Sequence, residues 1–130
     1  MRQRLPTTIE ERQQGWELTT KYLAMMKRRA EELGSDFLVV SIPGQNRVDP
    51  TARIKGIEPL AFEIEEKLRE VSDALGIHYI DLMPHMLREH QKNQGSLYFY
   101  ADRHLTPLGN AAVAAALSEP LENLIWSNQL

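Results

Sequence analysis

The chain has no cysteine. That excludes disulfide frameworks, Cys-ligated zinc, iron–sulfur clusters and thiol nucleophiles together. Nor is there a surplus of positive charge: 15 Lys and Arg stand against 18 Asp and Glu, a net of −3, so a basic face built for nucleic acid is not expected. No apolar run approaches the roughly 20 residues of a membrane span, and the mean hydropathy is −0.41. The segment Met1–Pro6 lacks the apolar core of a secretory signal. Internal repeats, low-complexity tracts and interdomain linkers are all missing. What remains is globular in composition, 42% hydrophobic and 25% charged over 130 residues, enough for one domain or a piece of a larger one.

The chain opens on a predicted helix. Thr8 and Glu11 fit a capping box, Trp16, Leu23, Met26, Ala30 and Leu33 recur at helical spacing, and Gly34 stops the run. The apolar, β-branched run Phe37–Ile42 reads as a strand covered on both faces. Pro43-Gly44 ends it, and Gln45 to Gly56 reads as irregular around Pro50. A second helix has Pro59 near its start and Leu60, Ile64, Leu68, Val71 and Leu75 as its buried stripe. Glu63, Glu65, Glu66, Lys67 and Arg69 face outward, and Gly76 is the stop. Ile77–Leu82 reads as a second strand. Strand, helix and strand in this order predict a βαβ unit with parallel strands. A short helix follows Pro84 to about His90, then a turn over Asn93–Ser96 and an extended aromatic stretch Leu97–Tyr100. Thr106-Pro107 pairs an N-cap hydroxyl with Pro at the first helical position, and Pro120 starts or kinks a last helix. Two strong strands make a small sheet with two open edges, where another copy of the chain could pair.

The stretch that carries chemistry is Leu97 to Asn110. It places Asp102 and His104 in a loop directly ahead of a helix. A general base needs a neutral imidazole with one nitrogen free, and a carboxylate on the other nitrogen fixes the tautomer and stabilises the imidazolium. One intervening residue allows a turn to bring both side chains to the same side. The plainer alternative is that Asp102 simply closes a turn. The remaining histidines are weaker candidates. His78 lies in a strand, and His85 and His90, five apart, do not share a helix face as i, i+4 ligands would. Gln45, Asn46 and Arg47 follow a strand's C-terminal end and could line a cleft, although a solvated loop is the default reading.

The block Asp102-Arg-His104-Leu-Thr-Pro-Leu-Gly109, following Leu97-Tyr-Phe-Tyr100, resembles the C-terminal block of the SGNH (GDSL) hydrolase superfamily. Phe37–Pro43 is similar to the fourth sheet strand of that fold and Ile77–Leu82 to the fifth. The resemblance implies an α/β fold, part of a flavodoxin-like three-layer sandwich, acting on esters or transferring acyl groups. It implies that Asp102 and His104 belong to a Ser-His-Asp triad with no metal or organic cofactor. A single residue between Asp and His is similar to the subgroup linked to acetylation of exported polysaccharides, although members often carry Trp where this chain has Leu105. A small ester or an acylated carbohydrate is the implied substrate.

The family's nucleophile sits in a Gly-Asp-Ser block and its oxyanion groups include a Gly-x-Asn-Asp block. This sequence has neither. Residues 1–130 are therefore expected to be a single domain equivalent to, or a fragment of, the C-terminal part of an SGNH hydrolase-like domain, inactive alone for lack of the Ser. Two resident hydroxyls could substitute. Ser41 lies near a strand's C-terminal end, the edge where α/β sheets place ligands, and Ser96 lies in a turn close to His104. Either would make the chain a self-standing esterase. The alternative from a different class is a non-catalytic α/β assembly module that keeps the Asp-x-His block as structure.

Overall fold

A computed structural model of the chain describes residues 8–52, 63–93 and 97–127. Helix α1 spans Ile9–Glu32. Its start is the predicted capping box: Thr8 Oγ1 accepts from the Glu11 amide at 3.0 Å and Glu11 Oε2 accepts from the Thr8 amide at 3.2 Å. Gly34 follows the helix with φ +67°, the left-handed conformation that lacks a Cβ penalty only in glycine. The predicted buried stripe is only half realised. Trp16, Leu23 and Ala30 are half-buried, Met26 and Leu33 are exposed, and no residue of α1 is fully buried. Spacing sets which residues share a face. It does not supply the partner that would cover them.

Strands β1 (Leu38–Ser41) and β2 (His78–Asp81) pair in parallel, with Leu38 opposite His78 and Ser41 opposite Asp81. Among the described residues they form the whole sheet. The crossover includes helix α2 (Gln45–Val48), a 3-10 turn over Pro50–Ala52 and helix α3 (Glu63–Leu75). The chain is thus mixed α/β with a parallel βαβ core, part of the layered sandwich the sequence predicts. Pro59 and Leu60, expected near the start of α3, lie outside the described residues.

Two expectations change here. The stretch after Pro43 is not wholly irregular, because Gln45 and Val48 are buried on the single turn of α2. Glu65 is not on the solvent face of α3 but buried, since both of its oxygens accept from the Arg47 guanidinium across the crossover. A charge can be buried when a bidentate partner satisfies it. The stop at Gly76, φ +63°, is as expected.

Helix α4 (Met83–Lys92) packs against α2 and against α5 (Pro107–Ser127), while α3 packs on β2. Pro120 lies inside α5 without ending it. The core joins Val48, Leu82, Met86, Leu97, Tyr98 and Ala112, with Val40 and Ile80 from one sheet face packed against it. By alternation, Val39, Ser41, Tyr79 and Asp81 occupy the opposite face. Each fully buried apolar side chain of this set contributes on the order of 1.5–3 kcal/mol. No described helix is long and apolar enough to cross a membrane.

Candidate functional site

The extended stretch that begins at Leu97 turns back on itself, and the segment 97–106 is a hairpin. Tyr98 and Leu105 form an isolated antiparallel bridge. The Phe99 amide donates to the His104 carbonyl at 2.8 Å, and the Thr106 amide donates to the Leu97 carbonyl at 3.0 Å. Four residues, Tyr100 to Arg103, close the tip, where the Arg103 amide donates to the Phe99 carbonyl at 2.9 Å.

Asp102 and His104 meet at this tip. The His104 amide donates to Asp102 Oδ1 at 3.1 Å, and His104 Nδ1 lies 3.4 Å from Asp102 Oδ2. The residue between them, Arg103, adopts φ +64°. A non-glycine residue in the left-handed region is uncommon and costs about 1–2 kcal/mol. Here it reverses the chain so that carboxylate and imidazole turn to one side. Both groups face solvent, the imidazole 82% and the carboxylate 59% exposed. The His104 amide, and then its imidazole, hold the Asp102 carboxyl below its ordinary value near 3.8, so it is ionised at neutral pH. With Nδ1 turned toward Asp102, Nε2 is the nitrogen left for an incoming proton.

The foot of the hairpin explains the rest of the motif. Thr106 Oγ1 accepts from the Gly109 amide at 3.1 Å, an N-cap on α5, and Pro107 begins the helix where no N–H is needed. A Cβ on Gly109 would lie 2.1 Å from the Leu97 carbonyl oxygen. Only glycine lets α5 come this close to the hairpin. Thr, Pro and Gly therefore seat the hairpin, and Asp and His ride on its tip.

The other candidates fall elsewhere. The Ser41 hydroxyl is engaged with Tyr79 Oη at 2.8 Å and lies 3.5 Å from Asp81 Oδ1. No hydrogen bond joins it to His104. Burial, ahead of the neighbouring charges, raises the Tyr79 phenol pKa, and Arg69 stacks 5.3 Å from the centre of that ring. Ser96 lies outside the described residues. His85 and His90 sit half-buried on α4, and His78 is exposed on β2. Among the described residues no group of three or more His, Asp or Glu could hold a metal. Of the polar trio after Pro43, Arg47 is committed to Glu65 and Gln45 is buried.

Sequence reasoning missed one contact. The buried Tyr98 phenol donates to the Pro43 carbonyl at 2.6 Å, 55 residues away in the chain, tying the hairpin to the C-terminal end of β1. The aromatic run Leu97–Tyr100 was its only signal. A family model described as the SGNH hydrolase-like domain of the acetyltransferase AlgX matches residues 5–130. No curated protein matches the chain, and no solved structure does.

Proposed function

The chain belongs to the SGNH hydrolase-like domain family of the acetyltransferase AlgX, and from that premise we propose that it carries the base half of a Ser-His-Asp acyl-transfer site. The supporting observation is the Asp102–His104 contact at an exposed hairpin tip. His104 Nε2 takes the proton of a serine hydroxyl, whose oxygen attacks the acyl carbonyl of a small ester or an acylated carbohydrate. Collapse of the tetrahedral adduct breaks the ester bond, and the imidazolium returns the proton to the leaving alcohol. Water or an acceptor hydroxyl then repeats the sequence on the acyl-serine. Asp102 holds the imidazole orientation and offsets the charge of the imidazolium.

The serine of this scheme is not Ser41, whose hydroxyl is bound to Tyr79. Neither a Gly-Asp-Ser nor a Gly-x-Asn-Asp block stands in the sequence, so no residue is assigned here as nucleophile or as oxyanion donor, and loss of one such donor alone costs on the order of a hundredfold or more. Among the described residues the edge of β1 away from β2 carries no strand, and an exposed apolar surface lies along α1. Tyr22, Met25, Met26, Leu33 and Phe37 line one shallow groove there.

The test is hydrolysis of p-nitrophenyl acetate by the chain, compared with free imidazole and with His104→Ala, Ser41→Ala and Ser96→Ala. The expected rate matches imidazole and ignores both serine changes, while acetyl adducts form faster on His104 than on His78 and lose that advantage in Asp102→Asn. A rate far above imidazole, abolished by His104→Ala and by one serine change, would instead establish a compact esterase.

A further inference from the structure

We propose that Tyr98 is a positioning residue for the Asp102–His104 pair: its hydroxyl, bonded to the Pro43 carbonyl, fixes the hairpin tip relative to the C-terminal end of β1. The proposal rests on the acyl-transfer reading of His104, and its test is independent of turnover.

The tip is held from within by short-range bonds and from below by the hairpin stem. A two-stranded hairpin of this size is marginal by itself, so its orientation comes from what anchors it. One anchor is the foot, where the Leu97 carbonyl meets the Thr106 amide and the Cα of Gly109. The foot, and the packing of Leu97 and Tyr98 in the core, hold the stem but set no polar, directional tie between the hairpin and the sheet. The Tyr98 hydroxyl supplies a second fastening on a different element, 2.6 Å from the carbonyl of Pro43. Pro43 lies two residues beyond the end of β1, at the edge where parallel α/β sheets place reacting groups.

The residue types suit this role. Tyr98 is only 6% exposed, and burial pushes its phenol up to about 12, so it remains a proton donor across the working pH range. The Pro43 carbonyl lies beyond the β1–β2 register and is free of the ladder. Phenylalanine would fill the same space in the core cluster equally well. The hydroxyl is therefore spent on placement rather than packing. A displacement near 1 Å at a reacting group costs on the order of a hundredfold in rate, the scale on which a swinging hairpin would matter.

The experiment is amide hydrogen exchange and carboxylate titration by NMR on the chain, wild type against Tyr98→Phe. Removing the hydroxyl leaves the Pro43 carbonyl unpaired. Exchange at the Phe99, Arg103 and His104 amides is expected to rise on the order of tenfold, with the α3 and β2 amides unchanged. The Asp102 midpoint should move up toward its ordinary value as its contact with His104 loosens. Unchanged exchange and titration at the tip would overturn the proposal, and so would an acceleration shared equally by α3 and β2, which would mean a general structural role. Should Tyr98→Phe fail to fold, the wild type decides. If one opening event releases both groups, the buried Tyr98 hydroxyl proton and the Phe99 amide must show protection within about threefold of each other, and protection differing by more than tenfold would overturn the proposal.

Discussion

Gly109→Ala sets two effects against each other, and the structure decides the sign. In a helix interior, alanine is favoured over glycine by about 1 kcal/mol, and less in a first turn such as this one. The added methyl, however, would stand 2.1 Å from the Leu97 carbonyl oxygen, 2.9 Å from Leu105 Cδ2 and 3.1 Å from the Leu97 carbonyl carbon. Carbon and oxygen settle near 3.3 Å, so the shortfall is about 1.2 Å. The obstacle is backbone and cannot rotate aside. Either α5 or the hairpin has to move, at about 1–3 kcal/mol for overpacking. The move strains the Thr106–Leu97 hydrogen bond, worth about 1 kcal/mol more. The net expectation is a loss of roughly 1–3 kcal/mol, read as a drop in Tm of about 4–11 °C for a chain of this size. The assay is urea or thermal unfolding followed by far-UV circular dichroism, with the His104 cross-peaks monitored below the transition. An alanine variant as stable as the wild type, or more stable, would refute the close approach of helix and hairpin on which the account of the motif depends.

Arg47→Ala would leave Glu65 buried without its partner and should cost about 3–5 kcal/mol, whereas Arg47→Met with Glu65→Leu should recover most of the loss. Urea midpoints of the two variants distinguish these outcomes. Ser72 is fully buried on α3 and its hydroxyl has no partner, so Ser72→Ala should stabilise by about 0.5–1 kcal/mol in the same assay. The Asp102 and Asp49 carboxyls are both held below their ordinary value, Asp102 chiefly by the His104 amide and Asp49 chiefly by the Thr51 hydroxyl. A carboxyl depressed on folding stabilises above its unfolded pKa and ceases to do so as pH falls through its folded one. The contribution of these groups should therefore be constant above about pH 5 and decline from roughly pH 4 downward. Asp102→Asn should flatten part of that decline in unfolding midpoints measured from neutral to acid pH.

Much of the fold was legible because local chemistry and tertiary structure agree. The capping box at Thr8 and Glu11, the left-handed stops at Gly34 and Gly76, the parallel pair β1 and β2, and the cap at Thr106-Pro107 each follow from a short-range rule that the structure obeys. The misreadings share a different cause. Periodicity puts Glu65 on the solvent face because it says nothing of a bidentate partner 18 residues away. Spacing puts Met26 and Leu33 on an apolar stripe, but a stripe marks the need for a cover, not its presence, and both are exposed. At the site, the Asp102–His104 pairing was legible from spacing and resemblance. The left-handed Arg103 that achieves it was not, because arginine carries no signal for positive φ. The Tyr98 anchor joins residues 55 apart and was beyond any local rule.

The most direct test of the base-and-orienter claim is the tautomer of the neutral His104 ring, read from long-range ¹H–¹⁵N correlations at a pH where the imidazole is uncharged. With Nδ1 turned toward Asp102 Oδ2 at 3.4 Å, Nδ1 should carry the proton and Nε2 the free lone pair, and Asp102→Asn should weaken this preference. A ring protonated mainly on Nε2, or one whose tautomer ratio is indifferent to Asp102→Asn, would contradict it, leaving the Asp-x-His block a turn without catalytic orientation.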